Sequence, residues 1–242
     1  MNYNIHDITN KNTINNPKDE HYAAFNDFIF SKDIKLTGKL LHRFNHFLNT
    51  RHLPGDIVEI GVFKGSGIAT FAKFVNVFCP NSNKKIIGFD IFDTAHANKI
   101  LNKDSELDKE CMNIVYNRVN SDELTYESVI KRLDGAGICK DRYELVQGDV
   151  EQTIPGYVEE NPGFRISMLY IDVDLERPTY FALKHLWDRI LPGGVVIFDE
   201  FEYGKFTESC GVERFLREKN IKFELKSTDW IAPTAYLYKT DF

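Results

Sequence analysis

From Asp56 onward the chain alternates short apolar runs with stretches of helical period, and few architectures accept that pattern. A strand buried on both faces reads as a continuous apolar run, and two parallel strands in succession need a crossover long enough to hold a helix. The alternation therefore predicts an α/β fold built on a doubly wound parallel sheet. Five strands are expected at 56–62, 85–92, 143–150, 166–172 and 194–199, with helices over 67–78, parts of 107–135, 179–190 and 208–219. Two further strands, 221–227 and 235–239, are separated only by a turn around 229–233. With no helix between them, they are expected to pair antiparallel at the sheet edge as a C-terminal hairpin.

Ahead of the sheet, Leu36, Leu40, Leu41, Phe44, Phe47 and Leu48 recur at spacings of three and four, the period of an amphipathic helix over 33–52. Residues 1–20 carry Asn2, Asn4, Asn10, Asn12, Asn15 and Asn16 and too little apolar surface to order themselves. The expected organisation is a flexible tail over 1–20, a helical extension over 21–54 and one sheet-bearing domain over 55–242. In the extension, Tyr22, Phe25, Phe28, Ile29 and Phe30 need cover, either from the protein's own sheet or from a second subunit, so a homo-oligomer is one expectation. The segment 93–122 is longer than a strand-to-helix connection requires. It either covers a ligand at the carboxyl edge of the sheet or forms a solvated surface helix.

With 242 residues, 43% of them hydrophobic, the chain suffices for one core and is short for two full domains. Its 30 Lys+Arg against 36 Asp+Glu argue against nucleic acid or an anionic membrane as a partner. No apolar run approaches the roughly 20 residues of a membrane span. Cys79, Cys111, Cys139 and Cys210 form no C-x-x-C pair, which points to neither a zinc site nor a disulfide framework. The Asn-rich start lacks a basic-then-apolar pattern, and the expected location is the cytoplasm.

The first strand runs into Glu59-Ile60-Gly61-Val62-Phe63-Lys64-Gly65-Ser66-Gly67 and then a helix. Glycines at such a turn let the backbone approach a ligand, and the helix N-terminus favours a carboxylate or phosphate. No G-x-x-x-x-G-K-[ST] is present, and Phe63 stands where a dinucleotide fingerprint needs its second glycine. Glu59 suits a cationic group rather than a phosphate. S-adenosylmethionine, with an ammonium, a sulfonium and no phosphate, fits this loop. Asp90 ends the second strand, where doubly wound folds place a ribose-binding carboxylate. Asp149 ends the third, placed to accept from an adenine amino group. Glu59, Gly61, Gly65, Ser66, Asp90 and Asp149 are the candidate donor-binding residues, the alternative for each Asp being a strand-end cap.

The fourth strand ends Tyr170-Ile171-Asp172-Val173-Asp174 and the fifth Ile197-Phe198-Asp199-Glu200. Asp172 and Asp174 project together if the extended conformation persists, and neighbouring strands would bring four carboxylates to one rim. Such a concentration of like charge is costly without a cation. Oxygen-only ligands favour a hard ion such as Mg²⁺, the alternative being that only one or two of these side chains point inward.

These residues resemble the macrocin O-methyltransferase family of sugar O-methyltransferases. The resemblance is carried by Gly55-Asp56-Ile57-Val58-Glu59-Ile60-Gly61-Val62-Phe63-Lys64-Gly65, Gly88-Phe89-Asp90-Ile91-Phe92, Gly148-Asp149 with Thr153-Ile154-Pro155, and Asp172-Val173-Asp174-Leu175 with Pro192-Gly193-Gly194 before Asp199-Glu200. It implies a Rossmann-like class I methyltransferase sheet, an S-adenosylmethionine- and metal-dependent reaction, Asp172, Asp199 and Glu200 as metal ligands, and Asp174 as the general base. Glu200 stands where the family usually has Asp, and Glu176-Arg177-Pro178-Thr179 replaces its usual Tyr-Glu-Ser-Thr.

A sugar hydroxyl holds its proton too tightly for an ordinary carboxylate alone, and a cation on the oxygen lowers that barrier. His96 and His185 are alternative bases, and Tyr170 is expected to pack in the sheet. A catechol or phenol acceptor on the same fold and metal, or a non-catalytic binding or assembly protein, are the competing functions.

Overall fold

The structure, a computed structural model, describes residues 19–101, 105–221 and 223–240. The expected tail lies outside them except at its end, where Asp19 and Glu20 open helix α1 (Asp19–Ile29). Helix α2 (Lys35–Thr50) follows and leads to β1 (Asp56–Ile60). The chain then alternates strands and helices: α3 (Ser66–Phe78), β2 (Ile86–Asp90), α4 (Thr94–Leu101), α5 (Glu106–Tyr116), α6 (Tyr126–Gly135), β3 (Tyr143–Gln147), α7 (Val150–Glu160), β4 (Ile166–Ile171), α8 (Glu176–Leu186), β5 (Ile190–Phe198) and α9 (Glu208–Lys219), closing with β6 (Lys226–Ser227) and β7 (Ala235–Tyr238). Helices α4 and α7 are not among the expected helices, and β3 stops three residues short of 150 because Asp149 caps α7 there. Among the described residues, no helix is long and apolar enough to cross a membrane.

The seven strands form one sheet in the order β3-β2-β1-β4-β5-β7-β6. The first five are parallel, and β7 runs antiparallel to both β5 and β6. The terminal hairpin is therefore present, but β6 is two residues long. Ile221 and Leu225, expected within it, instead pack against the hydrophobic core. At its start β5 is longer than expected, reaching back to Ile190 through Pro192-Gly193-Gly194, where its register with β4 shifts.

Alternation along the strands divides the core. Val58, Ile60, Leu169, Ile171, Val196 and Phe198 face α7, α8 and α9. Ile57, Met168, Tyr170, Val195 and Ile197 face the other layer, which includes α2, α3 and α6. The period of two then assigns Glu59 and Tyr170, which are register partners, to this second face. It extends to Asp172, whose N–H donates to Ile60 O, and to Asp199, whose N–H donates to Ile171 O. The strand order reverses between β1 and β4, and ligands of open α/β sheets bind outside the carboxyl ends at such a point.

Helix α2 covers this face with only the later half of the expected apolar stripe, Phe44, Phe47 and Leu48, which pack on the core. Phe47 is buried, but so are Arg43, His46 and Thr50, while Leu36 and Leu41 are exposed. Carboxylates on the facing sheet decide the orientation: they draw the basic side chains inward and leave Leu36 and Leu40 lining a cleft.

Candidate active site

The cleft encloses about 1240 Å³ above the carboxyl ends of β1, β2 and β4. The described parts of the 93–122 segment, whose two readings were open, fold over it at 93–101 and 105–122. Ile100, Met112 and Tyr116 line the cleft, and Leu101 and Met112 pack on Leu175. Ser105 caps α5 by accepting from the Asp108 N–H, and Asp108 in turn accepts from Thr207 Oγ1 at 2.7 Å, which ties the segment to the start of α9. Across the cleft, Trp230 stacks on His42 of α2 with ring centroids 6.1 Å apart.

The glycine loop sits against the fourth strand. Gly61 has φ of 89°, and a Cβ there would lie 1.9 Å from Asp172 O, so a larger residue would push the loop off β4. Asp90 organises this turn. Its Oδ2 accepts from the N–H groups of Val62 (2.7 Å) and Phe63 (2.8 Å), and its Oδ1 from Phe92 N–H (3.0 Å). Phe63 and Phe92 both have positive φ, a conformation costly for a bulky residue unless the surroundings hold it. Asp90 thus serves the loop, whatever it does for a ribose. Burial raises its pKa against the pull of these amides. Gly65 and Ser66 open α3, whose first-turn N–H groups lack helical acceptors, and Ser66 borders the cleft.

Two other donor-site candidates have partners within the chain. Glu59 is 1% exposed, and its cationic neighbour is Arg43, with Nη2 to Oε1 at 3.3 Å. Burial pushes its carboxyl up to about 8, opposed by Arg43. Asp149 caps α7, accepting from Glu151 N–H at 3.1 Å, and Arg177 approaches its other oxygen at 3.4 Å. This is the capping role weighed from sequence, and Asp149 still borders the cleft.

Asp172 and Asp199 do converge, and on a cation the sequence reading missed. Lys39 Nζ lies 2.9 Å from Asp172 Oδ2 and 2.8 Å from Asp199 Oδ2. Although burial opposes it, the Lys39 ammonium and the Arg43 guanidinium hold the Asp172 carboxyl below its usual range. Asp199 is 2% exposed, accepts from the Tyr170 hydroxyl, and is raised by burial and the Asp172 charge. Tyr170 packs in the sheet as expected.

Asp174 and Glu200 reach the rim differently. β4 ends at Ile171 and Asp174 has φ of 64°, so the extended geometry that would align it with Asp172 is absent. Asp174 is instead held by its carbonyl, which accepts from Thr207 N–H at 3.0 Å. Burial, then the charges of Asp172, Glu200 and Asp199, raise its pKa well above the usual range. The Glu200 N–H donates to Glu208 Oε1 at 3.0 Å, and burial with the Asp199 charge lifts the Glu200 carboxyl to about 7. Glu208 is fully buried, and burial, with the charges of Asp199 and Asp174, raises its pKa well above the usual range. Among the described residues no group of three His, Cys, Asp or Glu side chains forms a ready metal-ligand set. Two carboxylate oxygens meeting on one ammonium nevertheless make a cradle for a hard cation, with the ammonium as a stand-in. Neither His96 nor His185 lines the cleft.

Lys35, Lys39 and Arg43, spaced by four, were the missed signal: a basic stripe on the helix before β1, matched to acidic strand ends.

Residues 38–237 match the family described as Macrocin-O-methyltransferase (TylF). The 8-demethyl-8-(2,3-dimethoxy-alpha-L-rhamnosyl)-tetracenomycin-C 4'-O-methyltransferase of Streptomyces olivaceus is 29% identical over 150 residues, 62% of this chain and 54% of that protein. The mycinamicin III 3''-O-methyltransferase of Micromonospora griseorubida is 26% identical over 149 residues, 62% and 56% respectively. The chain spans about half the length of these curated relatives. Among solved structures, CalS11, a calicheamicin methyltransferase, superposes with a TM-score of 0.70 at 25% identity, covering 94% of this chain and 88% of its own. Its apo form, described as a TDP-rhamnose 3'-O-methyltransferase, gives 0.69 at 27% identity, covering 94% and 89%.

Proposed function

The chain belongs to the macrocin-O-methyltransferase family, and from that premise we propose that it transfers a methyl group from S-adenosylmethionine to a hydroxyl of a sugar, glycan or natural-product precursor, assisted by Mg²⁺ or a similar ion. The observation that carries this reading is the convergence of Asp172 and Asp199 on one cationic atom beside the loop held by Asp90. The relatives' sugar acceptors support the acceptor class.

In this reading Asp172, Asp199 and Glu200 hold the metal, and the donor lies against Gly61, Gly65 and Ser66 within reach of Asp90, Asp149 and Glu59. When bound, the donor supplies an electrophilic methyl on its sulfonium and the ion stabilises a developing alkoxide. The protein's part is positioning and proton transfer. The first turn of α3 attracts the donor's carboxylate. Asp174, on the rim beside Asp172, takes the hydroxyl proton as general base. The segment over the cleft excludes water and offers Ile100 and Met112 as an apolar wall for the acceptor.

The test is incubation with donor labelled on the methyl group and a panel of nucleotide sugars, glycans and phenols, with and without chelator. Label on a sugar, lost in chelator, supports the reading. Label on phenols alone overturns the acceptor class, and binding of the donor with no transfer to any acceptor overturns the enzymatic role.

A further inference from the structure

The two cations that α2 sends into the rim are held very differently. Arg43 is 6% exposed, lies over the Tyr170 ring at 4.6 Å and the Phe71 ring at 5.7 Å, and reaches Glu59 at 3.3 Å and Asp172 at 3.7 Å. It is clamped by packing. The side chain of Lys39 is 21% exposed and borders the cleft, and among the described residues its hydrogen-bond partners are Asp172 Oδ2 and Asp199 Oδ2. It is a compact charge on a flexible stem, able to leave by changing rotamer.

We propose that Lys39 is the resident cation of the carboxylate rim and competes with the divalent ion for Asp172 and Asp199, so that the ion enters as the ammonium swings out into the cleft. This rests on the metal reading above. An ion such as Mg²⁺ needs carboxylate oxygens at about 2.0–2.1 Å, and an ammonium 2.8 and 2.9 Å from those oxygens fills the same position. Both cannot be seated at once. Two facing carboxylates with no cation are costly, and without the ion Lys39 offsets that charge at this end of the sheet. Arg43, clamped 3.7 Å from Asp172 Oδ2, stays in place, so the exchange at the shared position is between one mobile single charge and a divalent ion that both carboxylates can ligate.

The experiment measures Mn²⁺ binding to the full chain by calorimetry and electron paramagnetic resonance, with neither donor nor acceptor present, for the wild type, Lys39→Met and Lys39→Gln. Removing the competitor is expected to tighten Mn²⁺ binding by about tenfold or more. Thermal unfolding serves as a second readout: without ion both variants melt below the wild type, and Mn²⁺ raises their melting temperature by more. Lys39→Gln keeps most of the side chain's bulk and an N–H donor, and reports if Lys39→Met fails to fold. Equal Mn²⁺ affinity in wild type and variants overturns the competition while leaving the metal assignment standing. Absence of Mn²⁺ binding in all three proteins overturns both.

Discussion

Arg43 Nη2 lies 3.3 Å from Glu59 Oε1, an ion pair enclosed between α2 and the first strand, with both side chains almost wholly buried. It joins a helix outside the expected sheet-bearing domain to the acidic residue that opens the glycine loop. A buried pair is not in itself strongly stabilising, but breaking it strands the partner's charge. Arg43→Met is therefore expected to cost about 3–5 kcal/mol of unfolding free energy, measured by urea denaturation. The double variant Arg43→Met, Glu59→Gln should recover part of that loss. Full stability of Arg43→Met alone would show that the pair is not what docks α2.

The strand ends, the glycine turn and the pairing of Asp172 with Asp199 could be read from the sequence because each depends on local pattern: apolar runs, a positive-φ glycine, and acids placed just after neighbouring strands. The orientation of α2 could not, because its leucines and its basic residues mark different faces and only the facing carboxylates choose between them. Asp174 failed for a similar reason. A period-two argument holds within a strand, and the strand stops at Ile171. For Asp90 and Asp149 the sequence identified strand-end acids, but whether such a carboxylate serves the backbone, a ligand or both depends on which N–H groups the loop turns toward it.

Asp90 offers a way to separate those roles. Asp90→Ala removes the acceptor of three backbone N–H groups at Val62, Phe63 and Phe92, and leaving buried donors unpaired costs about 1–3 kcal/mol. Both melting temperature and calorimetric affinity for S-adenosylmethionine should fall. A stability loss with unchanged donor affinity would leave Asp90 as a loop anchor only.

His46 predicts an acid-sensitive component of stability. It is 2% exposed, neither ring nitrogen has a partner among the described residues, and burial, with the His42 charge, lowers its pKa to about 4. The unfolded chain, with an ordinary histidine pKa of about 6.5, binds more protons between those values, so the folded state loses stability as pH falls from about 6.5 to about 4. The loss amounts to about 3 kcal/mol and is complete near the lower value. Buried carboxylates with raised pKa shift stability the other way, so the measurement is the difference between wild type and His46→Leu across that range. A difference independent of pH would mean that His46 takes up its proton as readily in the fold as in the unfolded chain.

Among the described residues, four of the five N-terminal apolar side chains are exposed, Tyr22 at 68%, Phe25 58%, Ile29 51% and Phe30 81%, while Phe28 is half-buried and borders the cleft. Of the two sources of cover, the described part of the chain supplies none for these four, and self-association is the expected outcome. Light scattering at micromolar concentration should give more than the 28.0 kDa of one chain, and Phe25→Ser with Phe30→Ser should lower that mass. A monomeric wild type would contradict the oligomer.

The metal and base assignments separate by variant. Asp199→Asn replaces a charged ligand with a dipole while keeping its shape, and is expected to weaken Mg²⁺ dependence and methyl transfer together. It also removes one partner of Lys39 and alters the acceptor of the Tyr170 hydroxyl, so circular dichroism must first show a native fold. Asp174→Asn should behave otherwise. The Asp174 carbonyl, which accepts from Thr207 N–H, is unaffected by the change, so donor binding and most of the metal affinity should persist. Turnover should fall by about 10²–10⁴-fold, because the amide cannot accept the hydroxyl proton. An Asp174→Asn enzyme that retains full turnover, and that works equally well in chelator, would overturn both assignments. The proton would then have to pass to another group lining the cleft, and the acidic rim would be left as a structural seat for Lys39.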